Sequence, residues 1–253
     1  MVPYVEVKTL ALGPVRLPVF GSLLVTAIVV ARWRLLRSER ALGLSRERSM
    51  AVLCIVMLIG GLFSAHIAKV ALDDISIFLA HPAVVLRTAQ GIRSAGGLFG
   101  GLLAGIVWCR LRGITGRETF RMLDRITFVL PFSWMIGRLG CALVHDHIGR
   151  PSRSWMAVAF PDGPAYDLGL IEFVFLIPLS LLFWVLGRRS RPVGFFFGLF
   201  GLLYGGFRAW LDTLQIHAFG WPFGAALAGM ATGLAGWVAM RHYERRSPQA
   251  GAS

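Results

Sequence analysis

Acidic residues and lysine are both scarce in this chain. Thirteen Asp and Glu stand against 26 basic residues, only two of them Lys, so a formal net charge of +13 rests almost wholly on 24 arginines. Cysteine is scarce too. Cys54, Cys109 and Cys141 are odd in number, unevenly spaced and set inside apolar stretches, which argues against a disulfide framework. Charge of either sign makes up only 15% of the 253 residues, whereas 56% are hydrophobic and the mean hydropathy is +0.66. A soluble domain of this length has no use for so much apolar surface, so the bilayer is the expected solvent. The arginines lie in short clusters between apolar runs, which is a topology pattern rather than a nucleic-acid footprint; no nucleic-acid partner is expected. The opening stretch "MVPYVEVKTLALGPVRLPVF" has neither the basic leader nor the cleavage pattern of a secretory signal, so the first apolar run is expected to be retained.

A spanning helix needs about 20 mainly apolar residues, because the hydrocarbon core is about 30 Å thick. Seven stretches meet or approach this: 15–36, 49–71, 96–112, 122–144, 168–187, 193–213 and 221–241. The expected fold is therefore an all-α integral membrane protein, a seven-helix transmembrane bundle in one polytopic domain, 1–253. Arginines orient it. Seventeen basic residues follow the first, third, fifth and seventh spans and seven lie on the other side, so the N-terminus is expected outside and the C-terminus in the cytoplasm. Glycines recur at four-residue spacing, as at Gly97, Gly101 and Gly105, and such rows let helix backbones approach closely in lipid. Residues 73–94 mix apolar and polar character, as an interfacial segment does. Trp155 and Trp221 suit interfacial anchors.

Charges within spans cost a few kcal/mol or more, so each calls for a reason. Arg138 lies in the fourth span, Glu172 about one turn into the fifth, and Arg208 and Asp212 four apart on one face of the sixth. In the expected orientation all four lie in the outer half of the bundle, level with His145, Asp146 and His147. Two arginines facing one polar pocket suggest a phosphate, which guanidinium binds in a two-pronged manner, and a lipid headgroup is the phosphate nearest to hand. His145 and His147 supply groups able to take a proton near neutral pH, with Asp146, Glu172 or Asp212 to orient them. The alternative is a structural salt-bridge network. An H-D-H triplet is weak evidence for a metal, and neither a metal nor another cofactor is expected. Cys141 reads as a small packing residue. His66 reads as a polar end to the second span, and His81 and His217 carry no argument.

The stretches "LGPVRLPVFGSLL" (12–24), "AGGLFGGLLAG" (95–105), "GRLGCALVHDHIGR" (137–150) and "YGGFRAWLD" (204–212) fall in an order that resembles the bacterial phosphatidylglycerol–prolipoprotein diacylglyceryl transferases. The family's central signature reads approximately G-R-x-G-N-F-x-N-x-E-x-x-G. The chain matches it at Gly137, Arg138, Gly140 and Gly149, with Arg150 following. Cys141 and Val144 stand where the two asparagines are, Ala142 where the phenylalanine is, and Asp146 where the glutamate is. The family's H-G-G becomes Ala95-Gly96-Gly97, and the tyrosine before the first-span glycine becomes Phe20. The sixth-span arginine and acid are kept as Arg208 and Asp212.

This resemblance implies a multi-pass protein of the bacterial inner membrane that transfers diacylglyceryl from phosphatidylglycerol to a prolipoprotein cysteine. Arg138 and Arg208 would hold the phosphate, with Gly96, Gly97, Gly137, Gly140 and Gly149 shaping the substrate site. His145 or His147 would replace the missing base, with Asp146, Asp212 or Glu172 orienting it, and the loop 145–167 is a candidate lid. The rival reading is a non-catalytic or altered-acceptor lipid-binding protein on the same scaffold. A small-solute transporter is the third, disfavoured by the lack of an inverted repeat.

Overall fold

The computed structural model describes residues 1–13, 15–40, 44–73, 94–216 and residue 238. Among them are six helices: α1 (Val19–Arg40), α2 (Leu44–Asp73), α3 (Ser94–Leu111), α4 (Gly116–Val144), α5 (Leu168–Leu186) and α6 (Phe195–Asp212). They correspond to the first six expected spans. The seventh, 221–241, lies outside the described residues apart from the helical Val238, as do His81, His217, Trp221 and nearly all of 73–94.

Four of these helices are long and apolar enough to cross a membrane: Val19–Arg37, Glu47–Val70, Gly116–Val144 and Leu168–Leu186; Gly96–Leu111 is apolar but shorter. Their outward faces are apolar, with Ile59 63%, Phe63 62% and Leu181 58% exposed. Water would penalise such surfaces and lipid does not.

The all-α expectation needs one correction, because two small sheets accompany the helices. β1 (Thr9–Leu12) and β2 (Val15–Pro18) pair antiparallel. The first helix therefore starts at Val19 rather than at 15. The segment 145–167, expected as a loop, holds β3 (Ile148–Pro151), β4 (Ala157–Phe160) and β5 (Gly163–Asp167) in the antiparallel order β3-β5-β4. The N-terminus joins it: Val2 N–H donates to the Ala157 carbonyl (2.8 Å) and Ala159 N–H to the Val2 carbonyl (3.0 Å).

The chain falls into two compact units, Leu36–Met122 and the combination of Met1–Leu35 with Leu123–Ser253. In the first, α2 and α3 approach through their glycines. A Cβ added at Gly97 would lie 3.4 Å from the Gly61 carbonyl oxygen, one at Gly100 3.2 Å from that of Gly60, and one at Gly101 2.8 Å from that of Met57. Only backbones without side chains pack so closely.

In the second unit, α4, α5 and α6 pack through aromatic rings: Phe128 and Phe183 both meet Phe196, at centroid distances of 4.8 and 5.3 Å. Asp124 of α4 accepts the Phe197 N–H at 2.9 Å, giving the first turn of α6 the acceptor that its own Gly194 cap lacks. At Gly169 a Cβ would meet Cys141 Cβ at 3.0 Å, so α5 begins pressed against the end of α4.

Gly101→Leu should lower the stability of the detergent-solubilised protein by about 1–3 kcal/mol through overpacking against Met57. A thermal melt unchanged from the parent chain would show that this packing is not as close as described.

Candidate active site

Glu172 sits on the buried stripe of α5, in step with Leu168, Leu176, Leu179 and Phe183, so helical periodicity alone turns its carboxylate inward. It is 1% exposed. A bare carboxylate at such depth is unstable, and four donors meet this one. Oε1 accepts from Arg138 Nε (3.0 Å), Trp134 Nε1 (2.9 Å) and the Tyr204 hydroxyl (2.6 Å). Oε2 accepts from Arg208 Nη1 (3.0 Å).

The partners come from two helices at turn spacing. Trp134, Arg138 and Cys141 line one face of α4, and Tyr204, Arg208 and Asp212 line one face of α6. Arg208 Nη2 reaches Asp212 Oδ1 at 2.9 Å, and the same oxygen accepts from Gln215 Nε2 at 2.5 Å. Asp212 Oδ2 is buried and has no hydrogen-bond partner among the described residues. The Arg138 guanidinium also lies 5.7 Å from the Trp134 ring centroid, and Phe200 stacks on Tyr204 at 4.9 Å, so aromatic faces wall the charges.

A second polar group stands where α4 ends. Arg138 Nη1 contacts Cys141 Sγ at 3.7 Å, and donor atoms of Cys141, Asp146 and His147 lie within 4.8 Å of one another. His147 Nδ1 is 2.5 Å from Asp146 Oδ1, and both side chains are open to solvent, at 41% and 36%. Burial pushes the Asp146 carboxyl up, but the His147 hydrogen bond and charge, aided by Cys141 and Arg138, outweigh it, and the net pKa lies below the usual value. A carboxyl lowered in the folded state adds stability above its unfolded value and loses it as pH falls through the folded one. Stability in acid should therefore drop below about pH 4. Asp146→Asn should flatten that drop slightly in pH-dependent melts, since a pair this exposed is well screened.

His145 is placed differently. Its backbone takes the left-handed conformation (φ 53°) that closes a helix end, and its ring stacks on Tyr4 (4.9 Å) and meets Phe160 edge-on (5.3 Å). Nδ1 pairs with Asp167 and Nε2 faces the Val5 carbonyl at 3.1 Å. Asp167 is itself the N-cap of α5, accepting the Leu170 N–H at 2.9 Å. Both ring nitrogens are thus engaged in fastening the N-terminal segment and the start of α5.

The glycines divide between the units. Gly140 packs against Phe20, where a Cβ would lie 3.3 Å from the Phe20 Cα; Gly149 would meet the Leu214 carbonyl oxygen at 2.6 Å; Gly137 has open space around it. Gly96 and Gly97 belong to the other unit and pack on α2 at Ser64, Ala65 and Gly61. Sequence reasoning missed Trp134, Tyr204 and Asp167. The first two stand four residues before an arginine, and Asp167 directly precedes an apolar run, which is an N-cap signal.

A multi-pass membrane protein with two arginines drawn onto one buried carboxylate is the class that this fold and site define. The family model of the prolipoprotein diacylglyceryl transferases matches residues 8–241, and the chain belongs to that family of transferases. It is similar to proteins named phosphatidylglycerol–prolipoprotein diacylglyceryl transferase from Azotobacter vinelandii (27% identity, covering 87% of this chain and 88% of that protein) and Ectopseudomonas mendocina (26%, 100% of each). A similar protein of that name from Nitratidesulfovibrio vulgaris is 26% identical over 95% of each chain.

Glu172→Gln should destabilise the protein by about 3–5 kcal/mol, because it leaves buried arginines without their shared counter-ion. Equal melting temperatures for variant and parent in detergent would contradict this.

Proposed function

We propose that this chain transfers the diacylglyceryl group of phosphatidylglycerol to a cysteine thiol of a prolipoprotein, at the outer face of the bacterial inner membrane. It would do so as one polytopic domain of seven spans with its N-terminus outside. Family membership supports the reaction class, and the arginine excess supports the orientation. The observation that carries the reading is the convergence of Arg138 and Arg208 on Glu172.

Each guanidinium has five N–H donors, so the contacts to Glu172 and Asp212 leave donors over for a phosphate. Glu172 and Asp212 hold the two guanidiniums in fixed directions before substrate arrives, and such preorganised donors stabilise charge that develops on a leaving phosphate. Asp212 Oδ2, buried and unpaired among the described residues, is suited to accept a hydroxyl of the glycerol headgroup.

Activation of the incoming thiol falls to the Asp146–His147 edge, since a thiolate is the nucleophile in such transfers. His145 has both nitrogens occupied and serves as a fastening rather than as the base. The sulfur attacks the diacylglycerol carbon bearing the phosphate ester, the C–O bond breaks, and glycerol phosphate departs with the electron pair. The rival reading, lipid binding without transfer, is favoured by Phe20 and Ala95, which stand where the resemblance calls for tyrosine and histidine.

The test is complementation of cells depleted of their own diacylglyceryl transferase, with a reporter prolipoprotein weighed by mass spectrometry. The expected result is a gain of one diacylglyceryl group with the parent chain, and at least a tenfold loss with Arg138→Lys, which keeps the charge but not the two-pronged geometry. An unlipidated reporter, with the parent chain present in the membrane, would exclude the transferase reading.

A further inference from the structure

Cys141, Asp146 and His147 bring a thiol sulfur, a carboxylate oxygen and an imidazole nitrogen within 4.8 Å of one another. Cys141 is 5% exposed, whereas Asp146 and His147 face solvent. The trio thus has a sheltered sulfur anchor and an open side. We propose that these three residues hold one zinc-class divalent ion whose remaining position takes the acceptor thiol of the transfer.

The donor set selects the metal. Sulfur with imidazole suits zinc and its neighbours, whereas magnesium and calcium take oxygen. Three protein ligands with a vacant fourth position is the arrangement of a reactive zinc site rather than a structural one. Donors around a tetrahedral zinc lie roughly 3.3–3.8 Å apart, given bonds of about 2.0–2.3 Å. The longest of these separations must therefore shorten by about 1 Å while the hydrogen-bonded Asp146–His147 pair, at 2.5 Å, opens by slightly less, and the side chains that adjust are those two exposed ones, on the turn after α4. Arg138 does not repel the ion strongly, because Glu172 offsets its charge at 3.0 Å, and its Nη1 lies 3.7 Å from the sulfur.

The chemistry follows from the site. An incoming thiol binds in the fourth position as thiolate, and its proton leaves to water at the open side, since a coordinating thiol is deprotonated outright. The sulfur lone pair forms the new C–S bond, the C–O bond to phosphate breaks, and the electron pair leaves on glycerol phosphate. This scheme rests on the transferase reading above and specifies how that reaction obtains its nucleophile without a histidine at Ala95.

Metal binding and transfer are read separately. The full chain in nanodiscs, stripped of metal, is titrated with cobalt(II), with zinc as competitor. The expected result is one equivalent bound with a sulfur-to-cobalt charge-transfer band, displaced by zinc. Cys141→Ser should abolish the band, His147→Ala should weaken cobalt binding at least tenfold, and Cys54→Ser should leave both unchanged. His147→Ala, an exposed change, keeps the test open if Cys141→Ser does not accumulate. Absence of the band in the parent chain, or its persistence in Cys141→Ser, overturns the site. Reporter lipidation is then compared between zinc-loaded and stripped protein, and the loaded form should be at least tenfold faster. Binding with equal or slower lipidation overturns the activating role. Binding without lipidation in either form removes the transferase reading and leaves the metal site standing.

Discussion

Everything in the α4–α5–α6 unit answers to the carboxylate of Glu172. At 1% exposure it is tolerable only with Arg138, Arg208, Trp134 and Tyr204 all in place, and those four come from the two other helices. Meeting that demand fixes the rotation of α4 and α6 about their own axes, and Asp212 follows because Arg208 brings it along one turn later. A stability requirement thereby yields a chemical product: two guanidiniums with donors to spare, held in place by groups already bought into the fold.

The polar edge beyond α4 obeys a different economy. Asp146 and His147 are exposed, and their pairing contributes little to stability. His145, between them and the helix, takes the left-handed conformation and reaches back to Asp167 and Val5. Three adjacent residues thus divide into one that fastens the end of a helix and two that face outward. That division separates the rigid arginine seat from a more adjustable group at the turn.

Much of this was legible in the sequence because lipid makes intramembrane charge costly. Arg138, Glu172, Arg208 and Asp212 stood out against apolar runs, and the structure joins them in one network. Glycine spacing was equally plain, and the row at Gly97 and Gly101 meets α2. The strands were not legible: Ile148–Pro151 and Gly163–Asp167 are four and five residues long, carry proline and glycine, and show no alternation of apolar and polar residues. The split between His145 and His147 was hidden for another reason. It depends on Asp167 and on Val5, 22 and 140 residues away, and no local pattern announces such partners.

The proposed transfer requires the arginine pair on Glu172 to be a seat for a phospholipid phosphate. Native mass spectrometry of the chain released from nanodiscs containing phosphatidylglycerol and phosphatidylcholine tests it most directly. The expected result is one retained phosphatidylglycerol, displaced by glycerol phosphate and reduced at least tenfold when Arg138 and Arg208 are both changed to Lys. Equal retention of the two lipids, or undiminished phosphatidylglycerol in the double variant, would contradict it.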